Sequence, residues 1–198
     1  MAPILVVCTG NVCRSPIAEG YLRSALMARF GAEAPVVESA GTAGWQGSPA
    51  DPGSVAAAAA HGVDISTHRA RRLLLDHLET ASLVLAMAAE HRDAVAASAP
   101  RVAGRTFTLK ELVRLLEALP EPRAGGDPSS LLAERVAEAD RLRRSGFAGN
   151  PRDQDVADPL GMSDAVFFAV AYELDEWCRR LAEGLFGKAP ARAAAEGE

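Results

Sequence analysis

The chain is poor in several things, and each shortage removes a class of protein. It holds three cysteines in 198 residues, Cys8, Cys13 and Cys178. So low and odd a number argues for reduced thiols and against a disulfide framework. No apolar run approaches the roughly 20 residues that cross a bilayer. The opening Met1-Ala2-Pro3-Ile4-Leu5-Val6-Val7 is too short for a signal h-region and lacks a basic n-region. The expectation is a cytoplasmic protein with no membrane partner. Basic charge is also short: 21 Lys and Arg against 26 Asp and Glu leave a net −5, without the overall footprint of a nucleic-acid binder. Two local clusters, His68-Arg69-Ala70-Arg71-Arg72 and Arg141-Leu142-Arg143-Arg144, read as solvated helix faces.

What is present suits an ordinary globular domain, with 48% hydrophobic and 24% charged residues. Ile4 to Val7 is a short apolar run, and from Pro16 onward Ile17, Tyr21, Leu22, Ala25 and Leu26 recur at helical spacing. Val36 to Ala40 reads as a second strand ended by Gly41, and Ser54 to His61 as an Ala-rich helix stopped by Gly62. Leu83-Val84-Leu85 is a buried strand, Ala88 to Ala99 a helix, Val102 to Leu109 contains a strand, and Leu109 to Leu119 is helical. Ser163 to Phe186 carries Val166, Phe167, Val170, Leu174, Trp177 and Leu181 on one face. Strands alternating with helices predict a three-layer, doubly wound α/β fold with a parallel sheet, whose ligands bind at the carboxyl ends of the strands. The expected layout is one domain over 1–188, an insertion at about 120–157 serving as a lid or ornament, and a disordered tail at 189–198.

The loop after the first strand carries the chemistry: Cys8-Thr9-Gly10-Asn11-Val12-Cys13-Arg14-Ser15. A loop of this size can curl so that its N–H groups converge on an anion, and the N-terminus of the following helix adds its dipole. Gly10 and Asn11 are residue types that tolerate the positive φ such a curl needs. A cysteine at the entrance has its thiolate favoured by those amides and by Arg14, which makes it a nucleophile. Arg14 brings a planar fork for two phosphate oxygens, and Ser15 can donate to the sulfur as it leaves phosphorus. Cys and Arg at this spacing also arise by chance, and a buried cysteine is commonly a small hydrophobe. The strand before, the Gly-Asn pair within and the Pro-started helix after favour the functional reading. No Gly-Lys-Ser/Thr ending is present, which disfavours nucleotide binding of the Walker kind.

Val6-Val7-Cys8-Thr9-Gly10-Asn11-Val12-Cys13-Arg14-Ser15-Pro16 resembles the active-site loop of the low-molecular-weight protein tyrosine phosphatases. The likeness continues in Ser39-Ala40-Gly41-Thr42-Ala43-Gly44-Trp45, Pro49-Ala50-Asp51-Pro52, Gly62 to Arg71 and Asp158-Pro159. It implies a four-stranded parallel sheet and a two-step reaction on phosphorylated protein, releasing inorganic phosphate without metal or other cofactor. By this resemblance Cys8 matches the nucleophile, Arg14 the phosphate-binding arginine, Asn11 the asparagine that holds the strained loop, and Ser15 the serine beside the nucleophile. Thr9, Gly10, Val12 and Cys13 complete the phosphate loop, while Ser39 and His68 match positions that brace it. Trp45 is expected to wall the cleft, or else to be a partly buried loop tryptophan.

Expelling an alkoxide or phenoxide needs a proton donor. Three Asp-Pro pairs are available, at Asp51, Asp127 and Asp158. Asp before Pro commonly opens a turn or caps a helix, and Asp51 and Asp127 each precede a helical segment. Asp158 matches the general acid of the family, and Asp155 is its near rival. No aromatic follows in Asp158-Pro159-Leu160-Gly161, which resembles bacterial members including the protein arginine phosphatases; so does Thr106-Phe107-Thr108-Leu109-Lys110-Glu111-Leu112. Val12 is the apolar type of tyrosine-specific members, so phosphotyrosine leads and phosphoarginine is the alternative. Cys13 is expected to pair reversibly with an oxidised Cys8, and Cys178 to be core. Arsenate reductase, which needs further cysteines as a relay, is disfavoured because none lies between Arg14 and Trp177. A non-catalytic phosphate-binding module needs neither nucleophile nor acid.

Overall fold

The computed structural model describes residues 2–123, 125–147, 150 and 152–188. The tail expected at 189–198 lies outside the described residues. Four strands form one sheet: β1 (Ile4–Cys8), β2 (Val37–Gly41), β3 (Leu83–Ala86) and β4 (Thr106–Thr108), in the order β2-β1-β3-β4. Every pairing is parallel, with Ile4 opposite both Val37 and Leu83, and Val84 opposite Thr106. β1 and β3 are buried at every position. Central strands covered on both faces require such unbroken apolar runs rather than alternation.

The helices are α1 (Arg14–Phe30), α2 (Pro52–Ala60), α3 (Leu75–Thr80), α4 (Ala89–Ser98), α5 (Leu109–Glu117), α6 (Pro128–Arg144) and α7 (Asp164–Phe186). One face of the sheet, through Ile4, Val6, Leu83 and Leu85, packs on Ile17, Leu22, Leu112 and Leu174 of α1, α5 and α7. The other, through Leu5, Val7 and Val84, packs on Leu78 of α3, Val95 of α4 and Val102. The result is the expected three-layer α/β fold. The order of the strands reverses at β1, because β2 lies to one side of it and β3 to the other. That reversal opens a crevice at the carboxyl end of β1, where Cys8 stands.

Local chemistry sets the helix ends. Asp51 accepts from Gly53 N at 2.8 Å and starts α2, with Pro52 at the first position, two residues before the predicted start. Thr108 and Glu111 form a reciprocal capping box at α5. Asp127 accepts from Ser130 N at 2.8 Å and starts α6. α6 is no cover over the loop after β1. Its Leu132, Val136 and Ala139 are buried in the core, and its buried Arg135 donates to Gly184 O at 3.1 Å and to Leu116 O at 3.4 Å. The 68–72 cluster departs from its predicted helix face, because it is irregular chain with isolated bridges at Arg69 and Arg72, between α2 and α3. There Arg71 N is used by the loop of Cys8, and the Arg71 side chain donates to Ser39 O and Glu38. The 141–144 cluster does end a helix, α6.

Candidate active site

β1 ends at Cys8 and α1 begins at Arg14, so five residues make the loop between them. Each carbonyl of residues 8 to 13 is turned outward and bound. Cys8 O accepts from Thr42 N, Thr9 O from Ala43 N, Gly10 O from Trp45 N, Val12 O from Asp51 N and Cys13 O from Ile17 N. Asn11 O accepts from His68 Nε2 at 2.8 Å, which puts a proton on that nitrogen. A backbone whose carbonyls point out along a curl points its N–H groups in. The hydrogen bonds of the described residues use none of the amides of Gly10, Val12, Cys13 and Arg14. These inward donors and the start of α1 form the anion nest expected from the sequence.

The curl depends on Asn11, the one non-glycine residue at positive φ among the described residues, at 58°. Its side chain holds that conformation with three bonds: Nδ2 donates to Ser15 Oγ at 2.9 Å and to Ser39 Oγ at 2.8 Å, and Oδ1 accepts from Arg71 N at 2.8 Å. Polarity then runs outward in both directions. Ser39 accepts from Asn11 and gives its proton to Glu19. Ser15 accepts from Asn11, so its own proton is free for Cys8 Sγ, 2.9 Å away. Asn11 N also donates to Cys8 Sγ, at 3.3 Å. Gly41 lets β2 approach this loop: a Cβ there would stand 2.5 Å from Thr9 O.

Across the cleft, Arg14 is 4% exposed. Its NH2 donates to Asp158 Oδ2 at 2.6 Å and to Thr9 Oγ1 at 3.3 Å, and its NH1 donates to Val156 O at 3.2 Å. Its Nε is buried without a partner among the described residues. Cys8, Thr9, Gly10, Val12, Cys13, Arg14, Trp45, Asp158 and Leu160 enclose a cavity of about 60 Å³. That is the scale of one small anion, since a water occupies about 30 Å³. Val12, Trp45 and Leu160 supply its apolar walls.

Position separates the four candidate acids. Asp51 and Asp127 are caps. Asp155 accepts from Ala89 N at 2.7 Å and so caps α4. Only Asp158 among them reaches the cavity, with its side chain 45% exposed and its Oδ1 accepting from Leu160 N at 3.2 Å. All three cysteines are free and buried. Burial pushes the Cys13 thiol up to about 12, with lesser contributions from nearby acidic groups, and pushes Cys178, in the core, above its usual range.

The structure thus gathers Cys8, Arg14, Asp158, Thr9, Val12 and Trp45 round one cavity, with Ser15, Ser39, Asn11 and His68 behind it. Sequence reasoning did not single out Glu19, Arg71, Leu160 or His91 as site residues. His91 stands five residues beyond the end of β3 on the carboxyl side of the sheet, so the topological rule for α/β sheets was a usable signal for it. Glu19 and Arg71 act through contacts between distant segments and leave no local signature.

A nucleophilic sulfur in a strand–loop–helix anion nest, faced by an arginine and a carboxyl group, defines a cysteine phosphatase of α/β type. Residues 3–138 match the family described as low molecular weight phosphotyrosine protein phosphatase, and the chain belongs to that family. It is 42% identical over 109 residues to the probable low molecular weight protein-tyrosine-phosphatase EpsP of Ralstonia solanacearum, covering 55% of this chain and 71% of that protein. It is 32% identical over 182 residues to a protein-arginine-phosphatase of Geobacillus stearothermophilus, covering 92% of this chain and 95% of that one. Among solved structures, the tyrosine phosphatase AmsI of Erwinia amylovora superimposes with a TM-score of 0.65 at 27% identity, over 92% of this chain and 91% of its own.

Proposed function

We propose that this chain hydrolyses phosphorylated protein in two steps through a phosphocysteine at Cys8, with Arg14 and the loop amides binding phosphate and Asp158 as acid and base. The observation that carries the reading is the joint placement of Cys8, Arg14 and Asp158 on one cavity, with Arg14 and Asp158 2.6 Å apart. The Cys8 thiolate attacks phosphorus as the bond to the leaving oxygen breaks, and the Asp158 carboxyl group gives that oxygen its proton. Water then attacks the phosphocysteine and loses a proton to the Asp158 carboxylate. The S–P bond breaks, the hydroxyl of Ser15 receives the returning thiolate, and inorganic phosphate departs. Arg14 and the inward amides meet the charge on the equatorial oxygens in both steps.

Phosphotyrosine is the favoured substrate, because Val12, Trp45 and Leu160 offer a ring apolar walls. Phosphoarginine is the second reading, supported by the likeness over 92% of the chain to an arginine phosphatase. We take residues 1–188 as one phosphatase unit and the cytoplasm as its compartment, since the chemistry needs a reduced Cys8. The test is hydrolysis of an aryl phosphate with EDTA present. Turnover should persist in EDTA and vanish in Cys8→Ser, while Asp158→Asn should lower kcat by about 10²- to 10⁴-fold, the usual worth of a general acid. Phosphotyrosine and phosphoarginine peptides are then compared directly. Folded wild-type protein that binds phosphate but turns over no substrate would replace this reading with a binding module.

A further inference from the structure

His91 is a buried histidine that the reaction as written above does not use. It sits in the first turn of α4, 2% exposed, and its Nε2 lies 2.9 Å from Thr9 Oγ1. Thr9 Oγ1 in turn accepts from Arg14 NH2 at 3.3 Å. On the far side of the ring, Nδ1 is buried with no partner among the described residues.

These contacts decide where the protons lie. An orphaned buried N–H is rarer than an orphaned acceptor, so the partnerless Nδ1 carries the lone pair and Nε2 carries the hydrogen. Glu90 Oε1, 3.4 Å from Nε2, favours the same tautomer. Burial, and next the charge of Arg14, hold the imidazole below its ordinary value and so uncharged near neutral pH. Nε2–H therefore donates to Thr9. With one lone pair of Thr9 Oγ1 taken by His91 and the other by Arg14, the hydroxyl hydrogen is the part of that group left unused, and Thr9 lines the cavity.

We propose that His91 is a positioning residue for phosphate binding: by donating to Thr9 it makes the threonine hydroxyl a donor to a phosphate oxygen and steadies Arg14 NH2. The inference rests on the phosphatase reading above and adds to it a side chain on the crossover from β3 to β4. Asp155 completes the link, because its cap on Ala89 N fixes the start of the helix that carries His91. Without His91 the Thr9 hydroxyl is free to turn, and the ground state and the transition state lose the same phosphate contact. KM and the inhibition constant for inorganic phosphate should then rise together, with less change in kcat.

The experiment uses the full chain with p-nitrophenyl phosphate as substrate and inorganic phosphate as competitive inhibitor. His91→Leu and His91→Asn, the latter too short to reach Thr9, are expected to raise both constants about five- to tenfold, the net worth of one ordinary hydrogen bond. His91→Gln, whose amide can reach and donate, should return to within about twofold of wild type. Thr9→Val should show a similar loss, and adding His91→Leu or His91→Asn to it should cost less than about twofold more, since the histidine acts through the threonine. Melting temperature is followed throughout. If His91→Leu does not fold, the contrast between Asn and Gln carries the test. The proposal is overturned if the variants bind phosphate like wild type, if Gln is no better than Asn, or if the losses with and without Thr9 are equal. Absence of turnover by the wild type would instead refute the phosphatase reading itself.

Discussion

At the scale of single residues, Asn11 carries more of the site than its neighbours. It holds a positive φ that costs a non-glycine residue about 1–2 kcal/mol, and its side chain spends three hydrogen bonds keeping that conformation. Asn11→Ala leaves Arg71 N, Ser15 Oγ and Ser39 Oγ short of a partner, each worth about 1–3 kcal/mol when buried. Ser15 would then be free to turn away from Cys8 Sγ. The expected result is a fall in kcat/KM of about 10²-fold, read in steady-state hydrolysis, together with a lower melting temperature. An Asn11→Ala enzyme with wild-type kcat/KM would show that the nest holds its shape without this side chain. The sequence marks Asn11 because loop type and residue type agree there. It does not mark Glu19 or Arg71, since their partners are 20 and 60 residues away in the chain.

At the scale of elements, the segment that delivers Asp158 is held by side chains from three helices. Lys110 of α5, only 6% exposed at its side chain, pairs with Asp153 at 2.9 Å and with Glu173 of α7 at 2.6 Å. Arg92 of α4 donates to Gln154, and Val156 N donates to Met87 O. Burial works against the Lys110 charge, and the bonds to Glu173 and Asp153 more than offset it, so its ammonium is held above its usual range. A raised value means that the stabilisation is complete below the ordinary lysine value, about 10.4, and is lost as pH rises through the folded one. Lys110→Met keeps the length and removes the tie. It should cost about 1–2 kcal/mol, because Asp153 and Glu173 are exposed enough to regain water. A loosened acid should also lower kcat about three- to tenfold with KM little changed. Unchanged kcat with lowered stability would make Lys110 purely structural. Elements with a local signal were legible: β1, the loop and α1 follow from an apolar run, Gly-Asn and Pro16. α3 was not, because it has six residues and its Leu75 is exposed, as is the preceding Leu74. α6 was legible as a helical segment after Asp127, while its place in the core was hidden by its distance in sequence from α5 and α7.

At the scale of the molecule, the site depends on one helix that never touches it. α7 packs on α1, α2, α5 and α6, and so joins the helix that begins at Arg14 to the half of the sheet that carries β4. Hydrophobic periodicity pointed to this helix, because a 23-residue amphipathic segment is a strong signal. Its four partners could not be read from that pattern, which shows an apolar face without saying what covers it. Leu174 is wholly buried at the middle of that face. Leu174→Ala should cost about 2–5 kcal/mol, the range for emptying a core leucine site. In a chain of this size each kcal/mol moves the midpoint by about 2–4 °C, so the melt should fall by roughly 5–15 °C in calorimetry. Below that transition, KM for an aryl phosphate should stay near wild type, because the loop keeps its own braces on β2 and on the 68–71 segment. One sharp transition in the variant means that the two faces of the sheet fold as one unit. Two transitions would mean that the layer of α5, α6 and α7 melts apart from β1 and α1, and that the nest survives without it.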